Sequence, residues 1–185
     1  ELIVVDDGST DETPELLRRL EDPRLRCLRQ PNQGVAAARN QGVAGARGEL
    51  FAFLDDDDLW LPDKLARQVA LLYREPETAV VYGHAEQFVS PELEASERAR
   101  LAHLEGRVVP APIATTMLVR RTAFQRIGPF DEGLSIGVEM DWYARLCELG
   151  LPQTMLDAVV YRRRLHRSNL NRATGGDQVE RLRVL

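Results

Sequence analysis

The chain has few cysteines and almost no lysine. Cys27 and Cys147 lie far apart and form no metal-type spacing, so we expect no cysteine metal site and a reducing, cytoplasmic compartment. Lys64 is the one lysine among 24 basic residues. The other basic residues are arginines, whose planar guanidinium suits two-point binding of phosphate and carboxylate.

Long apolar runs are also missing. No stretch approaches about 18 consecutive apolar residues, so we expect no membrane-spanning helix, and no signal peptide is visible. The net charge of -5 argues against nucleic acid as a partner. With 44% apolar residues in 185, the chain suits one domain with a substantial core. Because the chain starts on Glu1 rather than on methionine, and residues 1–5 already suggest a buried strand, we expect an upstream piece to be missing.

Short apolar runs alternate with helical patterns, most regularly in the first half of the chain. The expected strands lie at residues 2–5, 25–28, 50–54, 79–82, 113–120 and 154–161. The expected helices lie at residues 33–47, 62–73, 122–127 and 138–149, with a further helix beginning near Pro14. This alternation predicts an α/β fold with a Rossmann-like, mostly parallel sheet flanked by helices.

Two of the predicted strands end in aspartates. Asp6 and Asp7 follow the first strand, and Asp55 to Asp58 follow the third. Ligands of open α/β sheets bind beyond the carboxyl ends of the strands, so we expect both clusters to face one crevice. Four adjacent carboxylates are costly unless a cation or hydrogen-bond donors compensate them. Mg²⁺ or Mn²⁺, with one or two carboxylates and a diphosphate, would do so, and a solvated turn is the alternative.

Four blocks of the sequence resemble family 2 glycosyltransferases of the GT-A fold. They are VVDDGSTDET, PNQGVAAARNQGVAGARGELFAFLDDDDLWLP, RRTAFQRIGPFDEGL and VEMDWYARLCELG. The resemblance runs from residue 1 to about residue 167 and implies a single GT-A domain over residues 1–185. Within it, residues 1–83 form the nucleotide-sugar-binding half, 84–167 the acceptor and catalytic half, and 168–185 a C-terminal tail. The family's usual N-terminal strand is missing, so we expect a sheet that is one strand short.

The same resemblance implies the reaction and its partners. It implies metal-dependent, inverting transfer of a sugar from a nucleotide-sugar donor, with a UDP-sugar favoured, to an acceptor hydroxyl. The expected acceptor is a cell-surface polysaccharide or another glycan, including a lipid-linked one. The protein is expected to contact the inner face of the membrane peripherally. The alternative is a non-catalytic module that binds a nucleotide-sugar or cation. A nucleotidyltransferase is disfavoured, because no glycine-rich loop with a lysine lies near the N-terminus.

The resemblance also assigns residues to the donor. Asp6 and Asp7 match the positions that bind the nucleotide base and ribose, and closing their own turn is the alternative role. Arg39 matches an arginine that approaches the nucleotide, with an ordinary helix-surface arginine as the alternative. His166 matches a histidine in a segment that closes over the donor phosphates, with a plain surface histidine as the alternative.

Asp55 and Asp57 match the D-x-D motif of the family. Asp57 is the expected ligand of Mn²⁺ or Mg²⁺, and Asp55 or Asp56 is expected to bind the ribose or share the metal. The choice between Asp55 and Asp56 stays open, because an extra acid occupies the middle position of the motif. Asp58 is expected to cap the helix that begins near Pro62.

Glu139 matches the acid that serves as catalytic base at the start of a late helix in this family. The residue there is commonly aspartate, so the glutamate lengthens the reach by one methylene. A favourable position near a helix N-terminus is the alternative role. Asp141 is expected to form an i,i+4 ion pair with Arg145 instead.

Overall fold

The computed structural model describes residues 1–167 as helices flanking two β-sheets. The strands are Leu2–Asp7 (β1), Leu25–Gln30 (β2), Leu50–Ala52 (β3), Leu59–Trp60 (β4), Val80–Val89 (β5), Val108–Ala111 (β6), Leu118–Arg120 (β7) and Gln153–Leu165 (β8). The α-helices are Thr13–Arg19 (α1), Val35–Gly45 (α2), Lys64–Arg74 (α3), Ala95–Leu101 (α4), Arg121–Ile127 (α5) and Val138–Glu148 (α6). The predicted tail, 168–185, lies outside the described residues. Within residues 1–167, no helix is long and apolar enough to cross a membrane.

The sheets combine parallel and antiparallel pairs. Strands β1 and β2 pair in parallel as a two-stranded sheet, and a six-stranded sheet has the order β3-β7-β5-β8-β4 with β6 also paired to β5. In the larger sheet β5 and β8 are parallel, and the other pairs are antiparallel. The predicted α/β class is therefore confirmed, but the sheet is mixed rather than mostly parallel. Strands β6 and β7 both pair antiparallel with β5, along different parts of its length.

The core lies between the six-stranded sheet and the helices that cover it. Val80, Val119 and Val160 have no exposed surface. The parallel strands β5 and β8 approach closely at Gly83, where an added Cβ would lie 2.5 Å from Val160 Cγ2. This contact requires glycine, and it coincides with a shift in the β5–β8 register. The long β5–β8 pair therefore forms the centre of the molecule, and the candidate site lies along its rim.

The second half of the chain differs most from the sequence-based expectation. The predicted strand over 113–120 begins only at Leu118, because residues 113–117 form a turn. The Thr116 hydroxyl stabilises that turn by donating to the carbonyl oxygens of Ala111 and Ile113. Strands β4 and β6 were not expected, since one has two residues and the other contains Pro110.

Candidate active site

The guanidinium of Arg39, on α2, lies between the four-aspartate turn and the start of α6. Its Nη2 donates to Asp55 Oδ1 at 2.8 Å, and its Nη1 donates to Glu139 Oε1 at 3.0 Å. The Arg39 side chain is 9% exposed, and its Cζ lies 5.7 Å from the centroid of the Phe130 ring. Arg39 is therefore not an ordinary surface arginine. It brings two of the predicted site residues, Asp55 and Glu139, into one site.

Glu139 lies in the first turn of α6 with its two carboxylate oxygens in different surroundings. Besides the Arg39 bond, Oε1 accepts a hydrogen bond from the Ala114 N–H at 3.3 Å, whereas Oε2 accepts none from residues 1–167. Burial raises the pKa of Glu139 above its ordinary value, although the Arg39 charge opposes that rise. About a third of the side chain is exposed. A carboxylate of raised pKa with one oxygen free can accept a proton from a bound hydroxyl.

The aspartates at 55–58 form the turn between β3 and β4, and their side chains have different surroundings. Asp55 pairs with Arg39, while Asp57 Oδ2 lies 2.9 Å from His166 Nε2. Asp56 is exposed and forms no hydrogen bond or ion pair within the described part of the chain. The turn therefore separates its charges by directing neighbouring carboxylates to different partners. It also brings His166 beside the predicted metal ligand.

Asp58 does not cap a helix, so that expectation is wrong. Its Oδ1 accepts a hydrogen bond from the Arg164 N–H at 2.6 Å, and its Oδ2 accepts one from the Tyr161 hydroxyl. Burial raises the pKa of Asp58 to about 6. Helix α3 begins with Asp63 at the N-cap position and no side-chain capping bond. The reason lies in the sheet: β4 pairs with β8, so the β8 backbone runs beside Asp58.

Tyr161 and the β8 backbone were missed as partners of the aspartate turn. No local signal could have revealed them, because the contact depends on the antiparallel pairing of β4 with a strand about 100 residues later. The i,i+4 pair of Asp141 with Arg145 is a local feature and is confirmed, with Arg145 Nη2 donating to Asp141 Oδ2 at 2.7 Å.

Asp6 is buried at the end of β1. Its Oδ1 accepts a hydrogen bond from the Ser9 N–H at 2.8 Å, and its Oδ2 lies 3.3 Å from Arg29 Nε in an ion pair without hydrogen-bond geometry. Hydrogen bonds from Ser9 hold the pKa of Asp6 below its ordinary value. Gly8 makes this turn possible, because its φ is +81° and an added Cβ would lie 2.6 Å from the Asn32 nitrogen.

Asp7 holds the loop that leads into α2. Its carboxylate accepts three hydrogen bonds of 2.8–2.9 Å, donated by the Gln30 side chain and by the backbone N–H groups of Gln33 and Gly34. Neither Asp6 nor Asp7 forms a hydrogen bond or ion pair with the aspartates at 55–58 among the described residues. The expectation that both clusters face one crevice stays a prediction.

A metal ion would need ligands from outside the protein as well as from it. Within residues 1–167, no group of three or more histidine, cysteine, aspartate or glutamate side chains is arranged to hold a metal ion. Asp55 and Asp57 are both partly exposed and offer carboxylate oxygens, and His166 adds an imidazole nitrogen beside Asp57. Mg²⁺ and Mn²⁺ bind through one or two carboxylates when substrate phosphates complete the shell. The donor set fits an ion held jointly with a diphosphate.

The arrangement of sheet, aspartate turn and late-helix acid defines a class, the GT-A α/β fold, and solved structures agree. The chain is similar to S. aureus TarS 1–349 in complex with UDP-GlcNAc, with a TM-score of 0.68 and 19% identity over 90% of this chain and 50% of that one. It is also similar to the mannosyltransferase PcManGT from Pyrobaculum calidifontis in complex with GDP-Man and Mn²⁺. That TM-score is 0.60, with 24% identity over 88% of this chain and 47% of the other.

The family follows from the sequence comparison. The family described as Glycosyl transferase family 2 matches residues 1–128, and the chain belongs to it. The predicted family, fold and enzyme class, a glycosyltransferase, are therefore confirmed.

Curated relatives extend the similarity over most of the chain. An uncharacterized glycosyltransferase of Rickettsia felis is 34% identical over 136 residues, 72% of this chain and 22% of that protein. An uncharacterized protein of Mycobacterium tuberculosis is 33% identical over 178 residues, 90% of this chain and 51% of that protein. The UDP-Glc:alpha-D-GlcNAc-diphosphoundecaprenol beta-1,3-glucosyltransferase WfaP of Escherichia coli is 37% identical over 76 residues, 40% of this chain and 30% of that one. The chain spans about half or less of these proteins.

Proposed function

We propose that the protein is a metal-dependent inverting glycosyltransferase that moves a sugar from a UDP-sugar to an acceptor hydroxyl. The observation that carries this proposal is the position of Arg39, whose guanidinium is hydrogen-bonded to Asp55 on one side and to Glu139 on the other. The Arg39 guanidinium therefore brings a donor-side carboxylate and the candidate base close together. UDP is the favoured nucleotide because the names of WfaP and of the TarS complex both contain UDP-sugars.

On the donor side, the nucleotide would contact residues from both sheets. Asp6 accepts hydrogen bonds from the base or ribose, and Asp7 holds the loop at 30–34 in the shape that the nucleotide meets. Asp55 is the better candidate than Asp56 for the ribose or a shared metal, because Arg39 orients it, while Asp56 is exposed and has no hydrogen-bond or ion-pair partner within residues 1–167.

The leaving group would be stabilised at the aspartate turn. Asp57, with Asp55, would hold Mn²⁺ or Mg²⁺, and a bound ion would supply positive charge to stabilise the departing diphosphate. His166 Nε2 lies 2.9 Å from Asp57 Oδ2, so the imidazole is a candidate donor to a diphosphate oxygen bound beside Asp57. Arg39 adds a fixed positive charge between the donor and the base.

The transfer step assigns the proton to Glu139. Its Oε2 takes the proton of the acceptor hydroxyl while that oxygen forms a bond to the anomeric carbon. The bond from the anomeric carbon to the diphosphate oxygen breaks, and its electron pair leaves with the nucleoside diphosphate. Because the acceptor attacks on the face opposite the leaving group, the configuration inverts. The proton then passes from Glu139 to water.

The acceptor belongs, in this proposal, to a glycan of the lipid-linked or polysaccharide class. The support is the name of WfaP, whose acceptor is a diphosphoundecaprenol-linked sugar. Such an acceptor would place the reaction at the cytoplasmic face of a membrane, with the protein in peripheral contact.

Two substitutions test the proposal through nucleoside diphosphate release from a panel of UDP-sugars with Mn²⁺. Glu139→Gln removes the base, so kcat should fall by roughly 100-fold or more while the KM for the donor changes little. Asp57→Ala should abolish metal-stimulated turnover while leaving the fold intact.

Asp141→Asn is the matched control, because it removes an acid two residues from Glu139 that, among residues 1–167, pairs only with Arg145. Unchanged turnover in Asp57→Ala would contradict the metal role. Donor binding without any turnover in the wild type would favour the non-catalytic module instead.

A further inference from the structure

The turn at 113–117 is held at three consecutive carbonyl oxygens by side chains that follow the aspartate turn. Trp60 Nε1 donates to the carbonyl oxygen of Thr115 at 2.9 Å, Gln68 Nε2 to that of Thr116 at 2.7 Å, and Lys64 Nζ to that of Met117 at 3.1 Å. The three donors are four residues apart along the chain. Trp60 lies on β4, Lys64 and Gln68 lie on α3, and all three side chains reach the turn.

Two of these donors are fully buried, and Gln68 Nε2 also donates to the Val81 carbonyl oxygen of β5 at 3.1 Å. Lys64 and Gln68 have no exposed surface, and Lys64 Nζ also donates to Gln68 Oε1 at 2.7 Å and lies 4.6 Å from the centroid of the Trp60 ring. No carboxylate pairs with this amine in residues 1–167, and its burial lowers the pKa of Lys64 to about 7. An apolar side chain would fill the same space but would leave carbonyl oxygens of the turn without these donors.

The other end of the turn reaches the candidate base. The Ala114 N–H donates to Glu139 Oε1 at 3.3 Å, one residue before the three anchored carbonyl groups. Together with Arg39 it occupies Oε1, whereas Oε2 has no hydrogen-bond donor among residues 1–167. A shift of the turn would therefore release one of the two contacts that orient the carboxylate, because the Ala114 N–H is carried on the same backbone.

We propose that Trp60, Lys64 and Gln68 are positioning residues that hold the turn at 113–117 so that the Ala114 N–H orients Glu139 as the base. The network also connects the donor side to the base, since Trp60 follows the aspartate turn by two residues. The inference rests on the proposed function, because it assigns these residues to the same proton transfer.

Two variants test this role in the full chain. Trp60→Phe removes the indole N–H and keeps an aromatic ring against Lys64, while Lys64→Met removes the amine and keeps most of the side-chain volume. Loss of one hydrogen bond to the turn should lower kcat for the release of UDP from UDP-GlcNAc with Mn²⁺ by roughly three- to tenfold. The KM for UDP-GlcNAc should change by less than about twofold, because the donor-binding groups stay in place.

Amide hydrogen exchange provides a second readout that does not depend on turnover. The peptide containing residues 113–117 should exchange faster in both variants than in the wild type. Arg120→Met is the control, because Arg120 also donates side-chain hydrogen bonds to backbone oxygens, of Thr78 and Leu72, but contacts neither the turn nor Glu139. It should leave both kcat and exchange at 113–117 unchanged.

The outcomes separate this inference from the proposed function. Unchanged kcat and unchanged exchange in both variants would overturn the positioning role, as would an equal fall of kcat in Arg120→Met, which would indicate general destabilisation. A wild-type protein that releases no UDP from any UDP-sugar would instead contradict the proposed function. The exchange result would then still decide whether the three side chains hold the turn.

Discussion

Arg39 is hydrogen-bonded to two carboxylates that come from distant parts of the chain, Asp55 and Glu139. Burial makes an isolated guanidinium costly, and the two carboxylates compensate that cost. The same charge acts on Glu139, because a neighbouring cation favours the ionised carboxylate, whereas burial favours the neutral acid. We therefore expect Arg39 to set the pH range in which Glu139, the proposed base, is ionised.

Arg39→Met should move the acidic limb of the pH–rate profile to higher pH. Glu139 accepts a proton only when ionised, and without the cation its pKa rises further above the ordinary value, so a higher pH is needed to ionise it. At pH 6 we expect kcat to fall by roughly tenfold or more, with partial recovery at pH 8. Steady-state release of UDP from UDP-GlcNAc between pH 5 and 9 measures the profile.

Arg39→Lys is the matched control, because it keeps the positive charge but cannot donate to both carboxylates with one planar group. Its acidic limb should lie between those of the wild type and Arg39→Met. Superimposable profiles for all three proteins would show that Arg39 does not tune the base.

At the residue scale, motif positions predicted candidate site residues but not the contacts between them. Arg39, Asp57, Glu139 and His166 were named from motif positions, and the structure brings them into two contacts, Arg39 with Glu139 and Asp57 with His166. The identity of these pairs was not predictable, because Arg39 and Glu139 are 100 positions apart and meet only through the tertiary fold. Asp58 was misassigned for the same reason.

At the scale of elements, strand β8 is bound to the aspartate turn. Asp58 accepts hydrogen bonds from the Tyr161 hydroxyl and from the Arg164 backbone, and Arg164 Nε donates to the carbonyl oxygen of Asp57 at 2.8 Å. Just beyond β8 lies His166, against the Asp57 side chain. The geometry of the proposed metal ligand thus depends on how the end of β8 is held.

Tyr161→Phe should destabilise the protein by about 1–3 kcal/mol, because it leaves the mostly buried Asp58 carboxylate without one of its two donors. Urea unfolding of the wild type and the variant gives this difference. Tyr73→Phe is the control, since the Tyr73 side chain is 82% exposed and should change the stability by less than about 0.5 kcal/mol. Equal effects of the two substitutions would contradict the role of the Tyr161–Asp58 bond.

The helices were predictable from local periodicity, and the pairing of the strands was not. Local patterns of 3.6 and 2 residues locate helices and strands, so α2, α3 and α6 agree with expectation to within about two residues. Strand direction depends on which elements meet, and β7 pairs antiparallel to both β3 and β5. The turn at 113–117 shows the same limit, because apolar and β-branched residues there suggested a strand.

At the scale of the whole molecule, the proposed donor would contact both sheets. Asp6 and Asp7 end a strand of the two-stranded sheet, whereas the aspartates at 55–58 follow β3 of the six-stranded sheet. A two-stranded sheet is marginal on its own. A ligand that binds to both sheets should therefore stabilise the fold as well as occupy the site.

UDP with Mn²⁺ should raise the melting temperature by several degrees. At a concentration about 100 times its Kd, a ligand adds about 2.7 kcal/mol to the stability of the folded state. We expect a smaller rise for UDP without metal and for GDP or CDP with metal. Thermal unfolding measures each shift.

Asp57→Ala serves as the control for this measurement and should lose the part of the UDP shift that depends on Mn²⁺. Equal shifts for all three nucleotides would contradict the choice of a UDP-sugar. A rise in melting temperature that is the same with and without Mn²⁺ would contradict the joint binding of ion and diphosphate.

The buried Lys64 also has a consequence for chemical labelling. It is the chain's only ε-amine, so an acylating reagent such as a succinimidyl ester can modify each molecule at no more than one lysine. With a pKa of about 7, much of this amine is unprotonated and nucleophilic near neutral pH, and burial alone keeps the reagent away. The rate of acylation at Lys64 therefore reports how often α3 separates from the turn at 113–117.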